Sequence, residues 1–152
     1  MRGDSCRLAL AIDAMAEDYY SATPDVVARG VIRYWTSRRD DEFDAVDAFL
    51  ASQESEPQRA WDIALAIIQL TDDPDHLGQL GAGAIETLLH RWPEWALSRL
   101  RVEVPVNSRL AETLTDVRLD RDDVAFDGFV DLVRTNGLSL GRYISLVADE
   151  TS

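Results

Sequence analysis

The sequence predicts an all-α protein, and three observations carry that prediction. Apolar residues recur at helical spacing along nearly the whole chain, Pro and Asx or Ser/Thr signals restart that spacing every ten to sixteen residues, and no segment alternates in the two-residue rhythm of a strand. The expected architecture is a single domain over 1–152 of about eight or nine antiparallel helices, either a bundle or a short helix-pair solenoid. A chain of 152 residues is long enough to bury a core without metal or disulfide support.

The helices follow in order. Leu8, Ile12, Met15 and Tyr19 form one stripe of a helix over Ser5 to Tyr20. Thr23-Pro24-Asp25 opens the next, with Thr23 as cap, Pro24 at the first helical position and Asp25 facing the positive end. Val27, Val31, Tyr34 and Trp35 are its inward residues, and Arg38-Arg39 its end. A third helix, from about Asp41 to Ser52, is expected to pack through Phe43, Val46, Phe49 and Leu50. Its acidic face is then Asp41, Glu42, Asp44 and Asp47.

Ser55-Glu56-Pro57 starts a helix that Ala60, Trp61, Ala64, Leu65, Ile67, Ile68 and Leu70 make apolar around most of its circumference, which suits a central position. Thr71-Asp72-Asp73-Pro74 stops it and begins a short turn through Leu77 and Leu80. Gly81-Ala82-Gly83 leads into a helix bearing Ile85, Leu88 and Leu89, and Pro93 breaks the chain before a helix with Trp95, Leu97 and Leu100. Pro105 ends that helix, and Asn107 caps a segment with Leu110, Leu114 and Val117. Val124, Phe126, Phe129, Val130 and Val133 then mark a helix over Asp120 to Arg134, closed by Asn136-Gly137. Leu140, Tyr143, Ile144 and Val147 mark a last one from Ser139 to about Ala148.

The segment Leu77-Gly-Gln-Leu-Gly81-Ala-Gly83-Ala-Ile-Glu86-Thr-Leu-Leu89 resembles a family of small bacterial domains of unknown function, whose shared stretch reads approximately Leu-x-x-x-Gly-Ala-Gly-Pro-Leu-Glu-x-Leu-Leu. The similarity extends through the Tyr34-Trp35 and Trp61 helices upstream and Leu114 and Val117 downstream, roughly residues 29 to 119. It implies a helical fold and a bacterial source, with no reaction, substrate or cofactor. The chain departs from the pattern at Ala84, where the family has Pro, and lacks a Gly after the Leu-Leu pair. Read physically, Gly83 as a helix cap puts Glu86 at the third position, where its carboxylate faces the positive helix end. Gly81 and Gly83 then supply left-handed dihedrals or close helix approach. An anion site at this glycine-rich turn is disfavoured by Glu86, and the spacing is that of neither a phosphate loop nor a dinucleotide fingerprint.

Charge narrows the function classes. Twenty-eight Asp and Glu against fifteen basic residues leave a net −13. Nucleic acid and anionic membranes are thereby disfavoured as partners, and a basic protein is favoured. All fifteen basic residues are Arg; the chain is lysine-free, as GC-rich coding produces. No run reaches the ~18 uncharged apolar residues of a spanning helix and the start does not read as a secretory signal, so a cytoplasmic protein is expected.

No catalytic motif emerges. The single Cys6 excludes an internal disulfide and a multi-cysteine zinc site. His76 and His90, fourteen residues apart, match no hydrolytic metal spacing, and a small hydrolase built on them is the minor alternative. Ser139 and Ser145 lack a nucleophile elbow. Asp120, Asp122, Asp123 and Asp127-Gly128 fail the calcium-loop pattern in ligand order, glycine position and closing glutamate. No cofactor, metal or catalytic residue is therefore assigned. What the residues favour is a binding module: Asp40, Asp41, Glu42, Asp44 and Asp47, with a second cluster at Asp116, Asp120, Asp122 and Asp123, meeting a basic partner around aromatic anchors at Trp92 and Trp95. Its sharpest form is an immunity or antitoxin protein covering a basic toxin. A self-associating scaffold using Trp92 and Trp95 is the alternative, and the oligomeric state stays open.

Overall fold

The computed structural model describes residues 19–138, and all regular structure among them is helical. The expected helices over Ser5 to Tyr20 and Ser139 to Ala148 lie outside the described residues, apart from Tyr19 and Tyr20 at the edge of the first. Cys6, Ser139 and Ser145 lie outside them too. The chain divides into two compact units, Met1–Leu70 and Thr71–Ser152.

In the first unit, α1 (Pro24–Ser37), α2 (Phe43–Ser55) and α3 (Pro57–Leu70) pack against one another pairwise, with a 3-10 turn, Asp40–Glu42, leading into α2. The α1 start is as expected: Thr23 Oγ1 accepts the Val26 N–H at 3.4 Å, and Pro24 needs no partner for an amide hydrogen it lacks. At its end Arg38 adopts a left-handed conformation, φ 58°, which sends its N–H back to the Tyr34 carbonyl at 2.7 Å and turns the chain toward α2. Val27, Ala28, Gly30 and Val31 are buried, whereas Tyr34 and Trp35 are only half-buried. In α3 the buried residues are Ala60, Trp61, Ile63, Ala64, Ile67 and Ile68, while Leu65 is half-buried and Leu70 exposed.

The inward face of α2 corrects the sequence expectation. Ala45, Ala48, Phe49, Ser52 and Gln53 are buried, Val46 is half-buried, and Phe43 and Leu50 face solvent at 44% and 49% exposure. The reason lies on α1. A Cβ placed on Gly30 would stand 2.5 Å from the Ala45 Cβ and 3.0 Å from the Tyr19 hydroxyl oxygen, so the two helices meet almost backbone to backbone. Only small residues on α2 fit that approach, and choosing Ala45 and Ala48 for it rotates Phe43 and Leu50 outward.

The second unit begins with α4 (Pro74–Leu80), capped by Asp73, whose side chain accepts the Asp75 N–H at 2.9 Å. The chain runs on through a wide π turn, Gly81–Ile85, straight into α5 (Glu86–Arg91). This overturns the reading of Gly81, Gly83 and Glu86 as a helix cap. Gly81 is right-handed helical, φ −64° and ψ −51°, and Gly137 is the one described glycine with positive φ. The close-approach half of that reading holds at Gly81, where an added Cβ would overlap the Thr113 carbonyl oxygen. Gly83 has open space beside it. Glu86 reaches across the unit instead, accepting the Arg118 backbone N–H at 2.6 Å and fixing the extended segment around Val117 and Leu119, both buried.

Trp92 breaks the helix ahead of Pro93, and α6 (Pro93–Glu103) packs on α5. After a 3-10 turn at Val104–Val106, Asn107 caps α7 (Ser108–Thr113) by accepting the Leu110 N–H at 3.1 Å. The last helix among the described residues, α8 (Phe126–Thr135), packs on α6. It starts later than its apolar pattern suggests, because the Asp120 N–H donates to the Asp123 carboxylate at 2.7 Å and the Asp123 N–H to the Asp120 carbonyl at 2.9 Å, closing a turn that leaves Val124 76% exposed. Its end matches expectation: with Gly137 at φ 67°, the Leu138 N–H reaches the Val133 carbonyl at 2.9 Å. No helix among the described residues is long and apolar enough to cross a membrane.

The two glycines of the π turn separate packing from backbone propensity. In urea unfolding, Gly83→Ala should raise stability by about 0.5–1 kcal/mol through reduced freedom of the unfolded chain. Gly81→Ala should lower it by about 1–3 kcal/mol because the methyl group meets a backbone carbonyl. Glu86→Ala, which removes the side-chain acceptor of the Arg118 N–H, should cost about 1 kcal/mol in the same assay.

Candidate functional site

The acidic residues singled out from sequence occupy the start and the exposed side of α2. Glu42 is held inward of the rest: it accepts from Arg33 Nε at 2.9 Å and from the Tyr19 hydroxyl at 3.4 Å, and Arg33 Nη2 also donates to the Tyr19 oxygen at 3.3 Å. This cluster ties α1 to the turn before α2. Burial pushes the Tyr19 phenol above 10.0, and neighbouring Glu42 pushes the same way while Arg33 opposes both. Glu42's hydrogen bond raises Arg33, against the pull of burial.

The other carboxylates face outward. Asp41 pairs with exposed Arg39 at 3.1 Å, a contact of small net worth in water. Asp47 accepts from the Tyr20 hydroxyl. Asp40 and Asp44 have no ion pair among the described residues. Tyr20 is raised above 10.0, first by the hydrogen bond to Asp47, then by partial loss of water, then by the charges of Asp47 and Asp44. Beside these carboxylates stand Tyr20, Phe43 and Leu50, exposed at 53%, 44% and 49%. Sequence reasoning missed all three as surface residues. The signal that could have found Phe43 and Leu50 is the small-residue stripe Ala45, Ala48 and Ser52, an alternative inward face for the same helix.

Phe43 keeps one edge covered, its ring meeting that of Tyr34 at 5.5 Å between centroids and 69° between planes. Its other side is open. The face is therefore mixed, apolar rings and a leucine interleaved with aspartates.

Trp92 and Trp95 belong to the second unit and are neither core nor fully exposed. Arg91 lies over the Trp92 ring at 5.9 Å and Arg99 over Trp95 at 5.1 Å. Both indoles carry a guanidinium on one face, so the corner around Pro93 presents arginine and tryptophan together. The second acidic cluster is partly engaged. Asp123 meets His90 Nδ1 at 3.1 Å as well as the Asp120 N–H, and Asp116 lies beside Gly78 and Thr115, whereas Asp120 and Asp122 are exposed.

The two histidines have separate carboxylate partners. His76 is buried, its Nδ1 3.0 Å from the Thr71 hydroxyl and its Nε2 3.8 Å from Asp73. Thr71 in turn accepts the Asp73 N–H at 3.2 Å, so this knot secures the start of α4. His90 is exposed and pairs with Asp123. Among the described residues no group of three or more His, Cys, Asp or Glu side chains comes together as a metal-holding set. Compared with known proteins, the chain matches no family model, and no significant match was found among curated proteins or solved structures.

The Tyr20–Asp47 bond has a pH signature with a defined sign. A phenol whose folded pKa is raised stabilises the fold below its unfolded value of 10.0, and that contribution is lost as pH rises through the raised value. Residue-resolved tyrosine 13Cζ titration should place Tyr20 and Tyr19 both above 10.0. Asp47→Asn should bring Tyr20 back toward 10.0 and leave Tyr19 raised; coincident shifts in the two would contradict the assignment.

Proposed function

We propose that this protein is a non-catalytic binding module whose α2 face receives a basic protein. One observation supports the reading above the rest: Tyr20, Phe43 and Leu50 remain exposed within a field of aspartates, Asp40, Asp41, Asp44 and Asp47. Exposed carboxylates alone serve solubility. Exposed apolar groups set among them are costly in water and become favourable once a partner covers them, while the carboxylates select that partner's sign of charge and speed encounter. The net charge of −13 extends the same preference to long range.

The sharpest form of the reading is an immunity or antitoxin protein that masks a basic toxin or nuclease sterically and electrostatically. Trp92 and Trp95, each stacked with arginine, are a separate candidate contact on the second unit.

With a basic partner purified from the source cells, stopped-flow association should slow at least about tenfold between about 50 and 300 mM salt, as the screening length falls from about 14 to about 6 Å. Asp40→Asn/Asp44→Asn/Asp47→Asn should slow it similarly at low salt. Rates indifferent to both changes would sink the reading.

A further inference from the structure

The exposed side of α2 has an order that names the kind of partner. Phe43, Asp47, Leu50 and Glu54 sit at i, i+4, i+7 and i+11, a single row opposite the buried face of Ala45, Ala48, Phe49 and Ser52, and all four are exposed. Along the row apolar and acidic residues alternate. Asp44 flanks it on one side, and the Tyr20 ring is held beside it by the hydrogen bond to Asp47. Resting on the reading of this face as a binding surface, we infer that its occupant is one amphipathic helix laid along α2, with arginine or lysine and apolar residues alternating along its own contact row.

Chemistry removes the simpler ligands. A polyamine or divalent cation would satisfy Asp44 and Asp47 and leave Phe43 and Leu50 in water. A purely apolar helix would cover Phe43 and Leu50 and bury Asp47 with no cation opposite it, a heavy desolvation penalty. Asp47 keeps capacity for a guanidinium because a carboxylate accepts about four hydrogen bonds and the Tyr20 hydroxyl uses one.

Geometry separates a helix from a strand. The row spans about 16 Å, three steps averaging about 5.5 Å. A second helix repeats its own contact row at the same average step, so cation and apolar group stay opposite their partners from end to end. Side chains on one face of a strand repeat every ~6.7 Å, which puts them out of step by about 3.6 Å at the far end of the row. That is enough to bring a cation opposite the edge of an apolar residue. Helix-on-helix docking of this kind reads anchors at one-turn spacing, as the row provides.

Three synthetic peptides of equal length and composition test this at about 50 mM salt by isothermal titration: one with Leu and Arg alternating along a helical row, one with the same residues scattered around the helix, and one alternating them in strand rhythm. The row peptide should bind at least about tenfold more tightly than either control, gain helicity on binding, and lose that advantage with Leu50→Ser and with Asp47→Asn. Both substitutions are at exposed positions, and circular dichroism checks that the fold is kept; Glu112→Gln, which removes one exposed charge in the second unit, should leave affinity unchanged. Equal binding of all three peptides, abolished by Asp44→Asn/Asp47→Asn, would overturn the helix inference and keep the acidic face as a binding surface. Preference for the strand-rhythm peptide would overturn it likewise. Binding of none of them, or binding that the α2 substitutions do not touch, would overturn both.

Discussion

The first unit depends on the absence of a side chain at Gly30. With no Cβ there, α1 can meet Ala45 of α2 at a separation that no larger pair would permit, and the Tyr19 hydroxyl closes over the same spot. That contact fixes the rotation of α2 about its own axis, since the small residues Ala45, Ala48 and Ser52 must face inward together. Everything described on the outer side follows. Phe43 and Leu50, which hydropathy alone would bury, stand on the opposite face, and the aspartates interleave with them. The mixed apolar and acidic outer face is thus a by-product of tight packing behind it.

The second unit solves a different problem with similar means. A continuous helical run from Pro74 to Arg91 must pass the end of α7, where the Thr113 carbonyl projects, and it does so by widening into a π turn at a residue without a Cβ. Glu86, just beyond the turn, satisfies a backbone amide on the extended segment that follows Asp116. Short helices, each too short to persist alone, are held by such caps and cross-links and by a core that includes Leu80, Leu88, Leu100, Leu110 and Phe129.

Which parts of this were legible from sequence follows from the range of the forces involved. Starts at Thr23-Pro24, Asp73-Pro74 and Asn107 are local chemistry, a side-chain oxygen meeting an amide two or three residues on, and these read correctly. So did the left-handed end at Gly137. The inward face of α2 did not, because hydropathy ranks Phe and Leu above Ala and Ser, and only knowledge of the neighbour at Gly30 reverses that order. The Gly81–Glu86 segment misled for the same reason: glycine suggested a break, whereas the structure uses it for clearance inside an unbroken run. Of the candidate site, the acidic positions were visible in the composition of 40–47. Their sorting was not, since Glu42's engagement with Arg33 and Tyr19, and Asp47's with Tyr20, joins residues 9 to 27 positions apart.

The bond between Tyr20 and Asp47 has a meaning beyond its effect on the phenol. A lone surface aspartate samples several rotamers, and a partner that grips it must first freeze one. Here the Tyr20 hydroxyl already narrows that choice for Asp47, so on the proposed reading part of the ordering would be settled at folding. The tyrosine acts as a strut for that carboxylate. A basic partner docked there, as proposed, would gain residence time from that rigidity as well as from charge.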